Sequence, residues 1–202
     1  MSNPAAEIDL MQRVKRLAGP YLEPFAASLP NPWRMPSALN FWAALTANES
    51  GVYLVHNTVI PPRFESGHYT HLLSVLDGVV PEWDGITLAM LAGVDDALLR
   101  NLASSWGFTQ VMAWEMLPHG KAVNDLNSPD THYQCAAILM NVDIRAFHLD
   151  PTADFEKMAR CWNGGHPTAA TFDPQYVPNL LSRMEIYSGL DTVVVDPDEM
   201  NH

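Results

Sequence analysis

Apolar residues return every three or four positions along most of the chain, and each such run predicts a helix. One is expected from Ala6 to Leu17, with Gly19-Pro20 ending it. Residues 20 to 36 then hold five prolines, which suits an irregular connector or an extended arm. Ser37 is a candidate cap for a helix from Ala38 to about Glu49. Ala38, Trp42 and Leu45 form one apolar line there, and Glu49 falls on its continuation. Gly51 is expected to turn the chain away, and the β-branched stretch GVYLVHNTVI, residues 51–60, to form a short strand or β-like arm. Helices are expected after Glu65, around Ile86 to Leu91, and from Asp95 to Ser104. The segment SSWGFTQVM reads as a turn at Trp106-Gly107 followed by a helix through Met112.

Ser128-Pro129-Asp130 has the composition of a helix start, combining a cap, a first-turn proline and an acid near the positive helix end. Tyr133, Ala137, Met140, Ile144 and Phe147 follow as an inward stripe, making this the expected central helix. A helix carrying Phe155, Met158, Ala159 and Trp162 should end at Asn163-Gly164-Gly165. Another should carry Leu180, Met184 and Tyr187, and the acidic tail from Asp196 reads as loose. The fold class is therefore mainly α, with a small irregular or β-like region. Residues 1–36 form an N-terminal helix and proline-rich arm, and residues 37–202 the main domain.

At 202 residues and 48% hydrophobic, the chain can bury a substantial core. Its formal charge of -12 opposes a protein built to hold a nucleic-acid backbone. The first fifteen residues lack the apolar core of a standard secretory signal. No run approaches the roughly 18 apolar residues of a membrane span, so stable membrane insertion is not expected. Cys135 and Cys161 read as two buried thiols, with a disulfide the alternative if their helices touch.

Glu49 is the leading candidate for chemistry. Burial beside Trp42 and Leu45 disfavours its charged form, and the negative end of its own helix should act in the same direction. A glutamic acid partly protonated near neutrality can donate to a leaving oxygen, as glycosidic cleavage requires. The bland alternative is a helix-end glutamate facing water. Glu65 is a candidate second carboxylate, as base or water-orienting group, or else a brace for the arm; Asp77 and Asp84 compete but suit capping. Gly107 would let backbone approach a ligand, and Gln110 offers donor and acceptor to sugar hydroxyl and acetamido groups, or braces a loop. Trp106 or Trp114 is a candidate platform for a sugar ring, or else core. Asn163 orients a substrate acetamido group or caps its helix. Glu65, His68 and His71 recur at three-residue spacing, but the pattern lacks HExxH logic, so no metal and no cofactor is expected.

Four fragments, taken in order, give the chain a resemblance to the lysozyme-like superfamily, particularly bacterial and phage N-acetylmuramidase domains and, more distantly, lytic transglycosylases. NESG (Asn48 to Gly51) resembles the catalytic Glu-Ser-Gly segment, and PPRFESGHY (Pro61 to Tyr69) a segment carrying a second glutamate. SSWGFTQVM (Ser104 to Met112) is similar to the glycine-glutamine motif, and MARCWNGG (Met158 to Gly165) to the aromatic-asparagine-glycine segment. The similarity spans about Ser37 to Leu190 and implies a lysozyme-like helical fold with a peptidoglycan groove. Glu49 would be the general acid, with Gln110 and Asn163 in or supporting the cleft. Ala113 departs from the usual methionine-glycine continuation, which would narrow the groove.

The resemblance implies hydrolysis of the β-1,4 bond between N-acetylmuramic acid and N-acetylglucosamine. The alternatives are a transglycosylase forming 1,6-anhydromuramyl ends, a non-catalytic glycan-binding module and a virion structural protein. A chain made in the cytoplasm without a signal would reach the cell wall as a phage lysin, a virion component or a delivered antibacterial effector, the last with an immunity protein as partner.

Overall fold

The computed structural model describes residues 3–190, so the tail from Asp196 lies outside the described residues. Helix α1 (Pro4–Leu17) starts where Asn3 accepts from the Ala5 amide at 3.1 Å and buries Leu10, Met11 and Val14. The expected proline-rich connector is instead partly helical: α2 spans Gly19–Ser28. Pro20 sits in the first turn, where a missing N–H costs nothing, and Pro24 is tolerated farther in. Burial of Leu22 and Phe25 offsets that cost at roughly 2 kcal/mol for each side chain. The Phe25 ring meets Trp42 and Tyr133, each at 5.5 Å.

Helix α3 (Ser37–Val55) is the centre of the molecule, a place the inward stripe had assigned to a later helix. It is buried nearly all round, and α1, α2 and α9 pack on it. Ser37 is its first residue rather than its cap, and its hydroxyl donates to the Arg34 carbonyl. The turn expected at Gly51 does not occur. A Cβ at that position would meet Leu10 Cδ2 at 3.3 Å, so Gly51 serves the close packing of α1 on an unbroken helix. The expected strand over residues 51–60 is therefore helix to Val55, followed by a turn through Asn57.

Strand β1 (Arg63–Phe64) leads into α4 (Ser66–Leu76). A small hairpin, β2 (Glu82–Trp83) and β3 (Ile86–Thr87), follows, then a 3-10 turn (Leu88–Leu91) and α5 (Asp96–Leu102). The helix expected through Met112 is also corrected. Residues 104–112 form a hairpin of β4 (Ser104–Trp106) and β5 (Val111–Met112), and β4 also pairs antiparallel with β1, giving sheet order β1-β4-β5. Positive φ at Gly107 and Gln110 closes the turn. A 3-10 helix (Ala113–His119), α6 (Val123–Asn127), α7 (Pro129–Phe147), α8 (Phe155–Gly164) and α9 (Tyr176–Gly189) complete the described chain. The starts at Pro129 and the stop at Gly165, in left-handed conformation, match the sequence signals. Both cysteines are free and buried, and no described helix is long and apolar enough to cross a membrane.

Candidate functional site

Glu49 lies well inside α3, half-buried on the side facing the three-stranded sheet and α9. Burial raises its pKa to about 7 against two opposing influences, a hydrogen bond from the Tyr176 hydroxyl and the charge of Arg63. The helix-end contribution expected from the sequence is absent, because α3 continues to Val55 and Glu49 is not in its last turn. The neighbouring residue fixes the entry to α9, since Asn48 donates to the Tyr176 carbonyl at 2.8 Å and accepts from Arg183 at 2.7 Å. Arg183 in turn pairs with Glu7 of α1 at 2.8 Å, with both side chains largely buried. Helices α1, α3 and α9 are thereby tied together behind the carboxyl group.

A cleft of about 390 Å³ opens in front of it, and Glu49, Glu65, Gln110 and Asn163 all line it. These four residues are scattered along the sequence, and the fold brings them together. Arg63, His68, Glu115, Asp143 and Trp162 share the lining. A second depression, about 420 Å³ between Leu17, Tyr21, Val59 and Phe108, is apolar and lined by no carboxylate. Of the two, only the first is lined by carboxylates, which makes it the candidate site.

Glu65 stands at the N-terminus of α4, with its Oε1 at 2.7 Å from Arg63 Nε. The arm is braced by the Glu65 amide, which donates to the Ala103 carbonyl, leaving the side chain to the cleft. Asp77 ends α4 and Asp84 occupies the β2–β3 turn. Gln110 uses its side chain within the hairpin: Nε2 donates to the Gly107 carbonyl at 3.0 Å, and Oε1 accepts from Ser105 at 2.9 Å. One amide hydrogen and one lone pair remain for a ligand. Asn163 Oδ1 accepts from the Phe172 amide at 3.1 Å, so it organises the loop between α8 and α9 while facing the cleft. The left-handed cap is Gly165.

Three expectations change at this scale. Trp106 is outside the cleft; it borders a separate depression with Leu98 and Asn127, and its indole donates to the Asn101 carbonyl. Trp114 is core, and Trp162 is the indole that lines the cleft. Gly107 makes its close approach to protein rather than ligand, since a Cβ would fall 2.4 Å from His132 Nδ1. Ala113 is buried in the core and does not narrow the groove. Burial among Trp83 and Trp114 lowers the proton affinity of His68, and His71 stacks on Trp83 at 4.9 Å. Among the described residues no group of three His, Cys, Asp or Glu side chains could hold a metal.

Sequence reasoning missed Arg63, Glu115, Asp143 and Tyr176. Glu115 is raised to about 7, by burial and then by Asp143 and Asp84, while Asp143 is raised to about 6 by burial. The signal for Asp143 was available, as it interrupts the otherwise apolar side of α7 four residues before Phe147. Nothing in the sequence marked Tyr176 as a partner of Glu49. The site and fold thus define a mainly helical domain with a carboxylate-lined cleft. No family model, no curated protein and no solved structure matches the chain.

Proposed function

We propose that the protein is a peptidoglycan N-acetylmuramidase, hydrolysing the β-1,4 bond between N-acetylmuramic acid and N-acetylglucosamine. The observation that carries this reading is Glu49, a glutamic acid that keeps a proton near neutral pH and faces an open cleft. Glycosidic cleavage needs such a proton at the leaving oxygen as charge develops on the sugar carbon. Gln110, Asn163 and Trp162 supply the amide and aromatic surfaces that bind hydroxyl, acetamido and ring faces. Glu65 holds Arg63, whose charge limits how far the proton affinity of Glu49 rises.

The natural partner is a bacterial glycan strand, met at the cell wall after delivery as a phage lysin, a virion component or an antibacterial effector. Purified peptidoglycan digested by the wild-type protein should release fragments one water heavier than the bond cut. Fragments lacking that water, with 1,6-anhydromuramyl ends, would make the protein a lytic transglycosylase, with Glu49 acting first as acid and then as base. Glycan binding without release, unchanged by Glu49→Gln, would leave only a binding module.

A further inference from the structure

We propose that Glu115 is the base that takes a proton from the attacking water, and that Asp143 is the positioning residue that holds it ready, with Glu49 as acid in the same cleft. This inference rests on the hydrolytic reading above and assigns the second carboxylate to a residue other than Glu65. Glu65 is half-exposed and bound to Arg63 at 2.7 Å. Glu115 and Asp143 come from separate elements, the 3-10 helix after β5 and helix α7, and converge on the cleft that contains Glu49. Both are half-buried, and neither has a cation partner among the described residues. A backbone hydrogen bond at Met112 supports Glu115.

Two half-buried carboxyl groups that repel one another hold a proton more tightly than either would alone. When Glu115 is ionised in that setting it is a stronger base than a free carboxylate, and better matched to activating water near neutrality. The charged and titratable groups around the pair do not cancel this. Asp84 in the β2–β3 turn adds negative charge to Glu115, and Glu49 stands on α3. Burial lowers the proton affinity of His68 at the start of α4, and Cys161 on α8 is a thiol pushed up to about 11 by burial and Asp143. Arg63 of β1, the cation lining the cleft, is engaged with Glu65.

The step balances as a single displacement. The water oxygen bonds to the anomeric carbon while its proton passes to Glu115. The bond to the leaving sugar breaks, and that oxygen takes the Glu49 proton, leaving Glu49 ionised and Glu115 neutral. Attack by water on the face opposite the leaving group inverts the anomeric configuration.

The test compares Glu115→Gln, Asp143→Asn and Glu65→Gln on purified peptidoglycan, with melting temperature as a fold check. Glu115→Gln should lower kcat at least ~100-fold with KM changed by no more than about twofold. Asp143→Asn removes the repelling charge, so the acidic limb of kcat/KM should move to lower pH while the alkaline limb stays. This pH readout would not respond to a purely structural role, and it stands even if Glu115→Gln folds poorly. The first-formed product should carry the inverted anomer by NMR. Full activity in Glu115→Gln, inactivation by Glu65→Gln instead, an unmoved acidic limb or a retained anomer overturns the assignment while leaving glycan cleavage intact. Anhydro products also overturn it, since no water is then activated. Absence of any release by the wild-type protein removes the cleavage reading, and this inference with it.

Discussion

Arg63 bears on two carboxyl groups at once, pairing with Glu65 and lowering the proton affinity of Glu49 through its charge. The Tyr176 hydroxyl lowers it as well, by donating to the ionised form. Burial outweighs both, and the balance sits at about 7. Removing either opposing group must therefore raise Glu49 further. Arg63→Gln and Tyr176→Phe are both expected to move the alkaline limb of the pH–rate profile to higher pH, because the acid keeps its proton longer. A shift to lower pH in either variant would contradict the roles given to these side chains. Trp162, which donates to the Thr109 carbonyl at 3.2 Å, ties the cleft wall to the hairpin, whereas Trp106 faces elsewhere.

The β4–β5 hairpin shows how an element can be hidden in a sequence. Its turn is held by distant partners: Ser50 donates to the Phe108 carbonyl at 2.8 Å, and the Thr109 amide donates to His132 Nε2 at 3.0 Å. None of these contacts is visible in local periodicity, so the segment read as helix. Gly51 misled in the opposite way, because a glycine needed for helix packing has the same letter as one needed for a turn. The helix from Pro129 was legible because serine, proline and acid mark its start, that from Phe155 from its apolar line and glycine stop, that from Tyr176 from its apolar line alone, and Glu49 because it continues an apolar line. Glu115 and Tyr176 were not legible, since their importance comes only from what lies across the cleft. Gly107→Ala tests the hairpin directly. It meets both positive φ and a Cβ clash with the buried His132, so a loss on the order of 3 kcal/mol or more is expected. Gly165→Ala has positive φ but open space around it, and should cost only about 1 kcal/mol. Equal melting temperatures for the two variants would show that Gly107 is not a packing position.

Across the whole molecule, buried titratable groups oppose one another as pH changes. His132 is held neutral, its pKa lowered to about 4 by burial, so its contribution is present above its unfolded value of 6.5 and is lost as pH falls from there toward 4. Glu49, Glu115 and Asp143 have the opposite sign, since folding raises their proton affinity. Their contributions are present below the unfolded carboxyl range and are lost as pH rises through about 6 to 7. Each shift corresponds to roughly 3 kcal/mol, reduced for the half-exposed carboxyls by solvent screening. The three carboxyls outnumber His132 and His68, the two histidines whose proton affinity burial lowers, so melting temperature should rise as pH falls from about 7 to 5. A steady fall over that window would contradict the buried carboxyls. The tie from Glu7 through Arg183 to Asn48 spans α1, α9 and α3, so Glu7→Gln should destabilise by about 2–4 kcal/mol in chemical denaturation, and an unchanged midpoint would count against it. The central claim, that Glu49 delivers the proton that breaks a glycan linkage, is tested most directly by mass analysis of soluble products from purified peptidoglycan treated with wild-type protein and with Glu49→Gln. The expected result is muropeptide release by the wild type and at least a ~1000-fold slower release by the folded variant. Equal release by both proteins would contradict it.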